Sequence, residues 1–171
     1  TASKFLIAEE GDWFVSNILE EDRILTEALN KRGLKVTRTY WDNPEFNWAD
    51  TKYVMFRTPW DYFNRYDEFA LWLEKAGKVT KFINPIENIN WNIDKHYMLD
   101  LEKAGINIPA TVFIEPGDNR SITEITKELN WSEFILKPAI SGGAWHTYRL
   151  DKTSIGEHEA IFKELIRDKS M

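Results

Sequence analysis

The stretch that decides the reading is Ser132–Leu150, SEFILKPAISGGAWHTYRL. Phe134, Ile135 and Leu136 form an apolar run of strand character, and Pro138 stops it from continuing as an ordinary ladder because proline lacks the N–H. Lys137 therefore sits at a strand end, just before a flexible Ser141-Gly142-Gly143 turn. Two roles suit a cation there. It can snorkel at a sheet edge, with its stem buried and its ammonium in water. It can also bind a phosphate over which the glycine turn closes.

The rest of the chain has the content of one large or two small domains. Its 171 residues are 43% hydrophobic and 29% charged, a globular balance able to bury a core. Eight tryptophans and a 14% aromatic fraction must pack inside or face a ligand. The net charge of -6 is spread without a basic block, which argues against a nucleic-acid partner. Cysteine is absent, so there is no disulfide framework and no thiolate ligand or nucleophile. His96, His146 and His158 lack metal-ligand spacing and read as solvated side chains. No apolar run suits a bilayer and no signal-peptide pattern opens the sequence, so the expectation is a soluble, cytoplasmic protein.

Two domains are expected, 1–90 and 91–171. In the first, strands at Phe5–Ala8, Leu34–Thr39, Tyr53–Phe56 and Lys81–Ile83 alternate with helices around Ile18–Leu29 and Tyr66–Ala76. That alternation predicts an α/β unit with a mostly parallel sheet covered on both faces. The second begins with a helix from Asp94, its N-cap, to Ala104. A strand at Thr111–Ile114, a helix at Ile122–Leu129, the Phe134 strand, a strand ending at Arg149-Leu150 and a helix over Ile155–Arg167 follow, a small α+β unit.

Lys95 falls in the first turn of its expected helix, where the helix dipole disfavours a cation. An anion held between Lys95 and the helix N-terminus would remove that conflict; an ordinary exposed lysine would not need one. Neither a Walker loop nor a Gly-x-Gly-x-x-Gly fingerprint is present. Arg57, at the end of the Tyr53 strand, can fork onto a carboxylate or phosphate, or pair internally with Asp61.

Taken together, WNIDKHYMLDLEKAGINIPATVFI and FILKPAISGGAWHTYRL resemble the nucleotide-binding part of ATP-grasp ligases. The similar branch holds prokaryotic glutathione synthetase and the ligase of cycloserine biosynthesis. The resemblance implies that Lys95 and Lys137 hold ATP phosphates together with the loop that follows. Ser141 takes the first glycine position of the family loop, Gly143 the second and Ala144 the third, with Gly142 between and Arg149 as the family arginine. Serine and alanine are small enough to leave backbone N–H groups accessible. Upstream, FRTPWDY and FINPIENINWNIDK are similar to the pre-ATP-grasp, Rossmann-like domain, where Arg57 and Asp61 match a strand-end pattern bordering the acceptor-substrate site.

What the resemblance implies is a piece of an ATP-dependent carboxylate–amine ligase acting through an acyl phosphate, cut within the grasp. ATP, Mg²⁺ and a small carboxylate-bearing substrate belong to the parent, and the metal ligands are expected downstream of Met171, with none in this chain. On that expectation the piece alone does not turn over, and its uncovered apolar surface favours dimerisation or aggregation at high concentration. The alternative is a non-catalytic binding or interaction module that keeps the fold.

Overall fold

The computed structural model describes all residues, 1–171, and divides into two compact units, Thr1–Asn88 and Ile89–Met171. The architecture is mixed α/β with two small sheets. No helix is long and apolar enough to cross a membrane.

In the first unit, Asp12 caps helix α1 (Trp13–Asn30) by accepting from the Val15 N–H at 2.9 Å. Strand β1 (Tyr53–Met55) is followed by helix α2 (Tyr66–Gly77) and strand β2 (Lys81–Ile83), a parallel crossover in which Val54 pairs with Phe82. Each strand buries only its middle residue, Val54 or Phe82. Phe82 belongs to an aromatic cluster in which Trp41, Phe56, Phe69, Trp72 and Phe82 meet at centroid distances of 5.2–5.8 Å. The mostly parallel sheet expected here is thus only two strands wide. Phe5–Ala8 is not a strand: Ser3–Phe5 is a turn of 3-10 helix whose amides bond locally, Phe5 to Ala2 and Leu6 to Ser3. Leu34–Thr39 also forms no ladder; Arg38 in it is held by side-chain bonds instead.

The chain passes between the units in helix α3 (Ile86–Ile93), which the sequence reading did not anticipate, and continues in helix α4 (Tyr97–Lys103). One helix from Asp94 to Ala104 was expected. It is interrupted because the Lys95 amide donates to the Ala139 carbonyl (3.1 Å) rather than to an acceptor one turn back. Asp94 is not the N-cap expected for that helix: His96 takes the cap position before Tyr97, and Asp94 Oδ1 accepts from the His96 N–H at 2.9 Å in a local turn.

Helix α5 (Ile122–Leu129) opens on a full capping box between Ser121 and Glu124 and closes on Asn130 in the left-handed region. Strands β3 (Glu133–Leu136) and β4 (Tyr148–Asp151) pair antiparallel, with Leu136 opposite Tyr148 and Phe134 opposite Leu150. Helix α6 (Ile155–Leu165) covers their inner face. Phe162 is fully buried there among Ile122, Ile125, Leu136, Leu150 and Leu165. Thr111–Ile114 is no ladder strand, but Ile114 and Met171 exchange both backbone bonds, at 3.0 and 2.9 Å.

Candidate functional site

Leu136 and Pro138 are buried on either side of Lys137, so the end of β3 is anchored and the lysine between them is fixed at its base. Lys137 and Lys95 line the same cavity of about 460 Å³, whose walls include Met98, Val112, Phe113, Trp131, Ile135 and Met171. That volume and apolar lining are those of a small-molecule site.

Lys95 is half-buried at the break between α3 and α4, and its ammonium reaches back to the loop after β3. Nζ donates to the Ala139 carbonyl at 3.0 Å and to Ser141 Oγ at 2.9 Å, with the Ser141 carbonyl at 3.4 Å. Ser141 Oγ in turn donates to the Pro138 carbonyl at 3.2 Å. Burial, and then the nearby Lys137 ammonium, push the Lys95 pKa below its ordinary 10.5, while Asp94 opposes them. Two like charges thus converge on one cavity wall, an arrangement that an anion would relieve. The expected placement of Lys95 in a first helical turn does not hold, because α4 starts two residues later; the cation is set by the loop and not by a helix dipole.

The loop itself turns twice, with Trp145 N–H donating to the Gly142 carbonyl (3.0 Å) and Thr147 N–H to that of Ala144 (3.1 Å). Gly143, Ala144 and His146 all have positive φ, at 57°, 59° and 47°. A Cβ at Gly143 would meet nothing within 4 Å, so conformation and not space favours glycine there. Arg149 stands outside the cavity wall, exposed and paired at 3.0 Å with Glu133, which does line it. The structure therefore brings Lys95, Lys137 and Ser141 together, sets Gly142 and Gly143 in the adjoining loop, and leaves Arg149 on the flank.

A second element at this site escaped the sequence reading. His96 is not a simply solvated side chain. Its Nδ1 lies 2.6 Å from Asp94 Oδ1 and its Nε2 2.9 Å from Glu115 Oε1, and its ring stacks on Phe113 at 3.9 Å. Burial works against the imidazolium, but the hydrogen bonds to the two carboxylates outweigh it and raise the His96 pKa above 6.5. Glu115 also accepts from the Ser170 hydroxyl, and Ala139 N–H donates to the Ser170 carbonyl at 2.8 Å. Hydrogen bonds thus run from Lys95 through Ala139, Ser170 and Glu115 to His96, the next residue in the chain after Lys95. The only early signal was the spacing Asp94-x-His96, too short and common to be decisive. His146 and His158 are likewise bonded, to Tyr148 Oη (2.6 Å) and the Ser154 carbonyl (3.0 Å).

In the first unit Arg57 does not pair with Asp61. Its Nε donates to Asp22 at 2.8 Å and its Nη2 to Glu21 at 3.0 Å. Asp22, buried to 7% side-chain exposure, also binds Arg38 at 2.6 Å. Asp61 instead accepts from Trp41 Nε1 at 2.9 Å. Helix α1 supplies Arg57 with a carboxylate from a distant part of the sequence, which local reading had no means to pair with it. No group of three or more His, Cys, Asp or Glu side chains is arranged to hold a metal ion.

Residues 5–84 match the family model of the N-terminal domain of D-cycloserine synthetase DcsG. The cycloserine biosynthesis protein DcsG of Streptomyces lavendulae is 29% identical over 119 residues, 67% of this chain and 39% of the relative. The crystal structure of D-cycloserine synthetase DcsG superposes with a TM-score of 0.80 at 23% identity, covering 90% of this chain and 53% of the other. The chain thus spans about two-fifths of that curated relative and about half of the solved one. Over residues 5–84 the chain is therefore similar to the N-terminal domain of D-cycloserine synthetase, and it shares that enzyme's fold over nine-tenths of its own length.

Proposed function

We propose that the chain is part of an ATP-dependent, ATP-grasp-type ligase related to D-cycloserine synthetase, and that its second unit binds the nucleotide. The convergence of Lys95 and Lys137 on one apolar-walled cavity carries this reading. The two ammoniums would take the phosphates and the walls the base, with the Gly142-Gly143 loop lending backbone N–H groups. Bound ATP would supply the phosphoryl group that activates a carboxylate for attack by an amine or related nucleophile. This chain's residues would bind and orient it. Mg²⁺ is assigned no ligand here, since no cluster of candidate ligands is present. The first unit would border the acceptor, with Arg57 acting on it only by exchanging part of its hold on Glu21 for a substrate carboxylate.

Titration calorimetry of ADP and ATP with Mg²⁺ tests the reading. A charge-assisted contact is worth roughly 1.5–3 kcal/mol, so Lys137→Ala and Lys95→Ala should each weaken binding about ten- to a hundredfold. The double variant should lose less than the sum, because both cations address one anion. Lys95→Ala should also lower the melting temperature slightly by freeing the loop; Lys137→Ala should not. Unchanged affinity in folded variants would leave a non-catalytic binding module as the better account.

A further inference from the structure

We propose that Ser141 is a positioning residue, whose hydroxyl holds the Lys95 ammonium at the cavity wall in the geometry that receives an anion. The inference rests on the nucleotide-site reading above and adds to it the residue that orients the cation. Lysine is a point charge on a flexible four-carbon stem, and fixing it costs rotamer entropy unless the protein holds it beforehand. Here both ends of the residue are held by one short segment. The Lys95 amide and ammonium both donate to the Ala139 carbonyl, at 3.1 and 3.0 Å. The Ser141 hydroxyl completes the anchor at 2.9 Å.

The direction of that hydroxyl is itself fixed. Its proton goes to the Pro138 carbonyl at 3.2 Å, which turns its lone pairs toward Nζ. A glycine at position 141 keeps the two carbonyl acceptors but loses this one. The charged groups facing Lys95 are Lys137 at the end of β3 and Asp94 on its own turn; beyond Asp94 lies His96, bonded to it and to Glu115. Burial and Lys137 favour the neutral amine, so each acceptor on Nζ helps to retain its proton. Removing the hydroxyl should therefore loosen the side chain and let it deprotonate at lower pH.

Two measurements on the whole chain separate this inference from the reading it rests on. The first is an NMR pH titration of the Lys95 side chain without ligand, in the parent, Ser141→Ala and Ser141→Thr. The Lys95 midpoint should fall in Ser141→Ala and be restored in Ser141→Thr. The second is calorimetry of ADP with Mg²⁺ between pH 7 and 10. Ser141→Ala should bind about three- to tenfold more weakly at pH 7, and its affinity should decline at lower pH than in the parent. An unmoved midpoint in Ser141→Ala overturns the positioning role, whatever ADP does. A shifted midpoint with no ADP binding by the parent supports the anchor and removes the nucleotide reading. Parent-like ADP binding by Ser141→Ala at every pH, with binding lost in Lys95→Ala, keeps the site and overturns the role of Ser141 in it.

Discussion

Replacing Asp22 with asparagine isolates one charge at the centre of the first unit. Its carboxylate receives Arg38 Nε at 2.6 Å and Arg57 Nε at 2.8 Å, and its side chain is only 7% exposed. Asparagine keeps the shape and one acceptor but removes the charge, leaving two guanidiniums to face each other. A hydrogen bond to a charged group is worth roughly 1.5–3 kcal/mol. Arg38 and Arg57 are 24% and 38% exposed, so water screens part of each bond and the lower half of that range applies. Two such bonds, one partly kept, give a loss of about 2–3 kcal/mol for Asp22→Asn. The pH dependence has a definite sign. Burial alone would raise the Asp22 pKa, but the Arg57 and Arg38 bonds more than offset it and hold the group below its ordinary 3.8. A depressed carboxyl contributes stability that is present above its unfolded value and lost as pH falls through its folded value. The gap between parent and Asp22→Asn should therefore be full at pH 7 and shrink only below pH 3.8. Urea unfolding followed by near-ultraviolet dichroism of the aromatic cluster reads it. A gap under about 0.5 kcal/mol at pH 7, the range of an ordinary surface change, would refute the reasoning.

Two further outcomes follow from the second unit. Phe162→Ala, at a fully buried position, should cost about 3–5 kcal/mol by lost burial and cavity formation, seen as a large fall in that unit's hydrogen-exchange protection; a loss near 1 kcal/mol would mean the site collapses around the gap. His96 should titrate above 6.5 by NMR, and its contribution to stability should be full below 6.5 and fade as pH rises through the folded value, while Glu115, held low by Ser170 and His96, sets the acid limit below 4.5. A His96 midpoint at or below 6.5 would show that burial prevails over the two carboxylates.

What could be read from the sequence was what local chemistry decides. Ser121 and Glu124 form a capping box three residues apart, and α5 runs over Ile122–Leu129 as expected. Tyr53–Met55 and Lys81–Ile83 are strands because short β-rich runs lie beside turn residues, with a helix between them that makes the pair parallel. The misses share a cause: a partner remote in the chain. Lys95 leaves its expected helix because Ala139, 44 positions later, offers its carbonyl. Arg57 bypasses Asp61, four residues away, for Asp22, 35 positions earlier. Leu34–Thr39 has strand composition but no strand beside it to bond, so composition alone could not make it a ladder. The cavity cations were legible as a pair through the family resemblance; the serine that anchors one of them was legible only as a departure from a glycine.

The hydrogen bonds from Lys95 through Ala139, Ser170 and Glu115 end on His96, so the backbone between His96 and Lys95 closes the ring and the address of one cation becomes a collective property. In an open chain of contacts, a break at one end leaves the other end in place. In a loop each junction is supported from two directions, so single breaks are tolerated and loss comes all at once. The amides of Lys95, Ile114, Ala139 and Met171, each bonded across these segments, should then exchange with solvent as one cooperative group and not in order of depth. The same logic gives the two parts of the clamp different tasks. His96 and Glu115 respond to acidity at its periphery, while Ala139 and Ser141 answer only to whether the loop is closed. A proton gained or lost at the imidazole should therefore reach Lys95 as a change in how long it stays in place, with no need for a change in where it points.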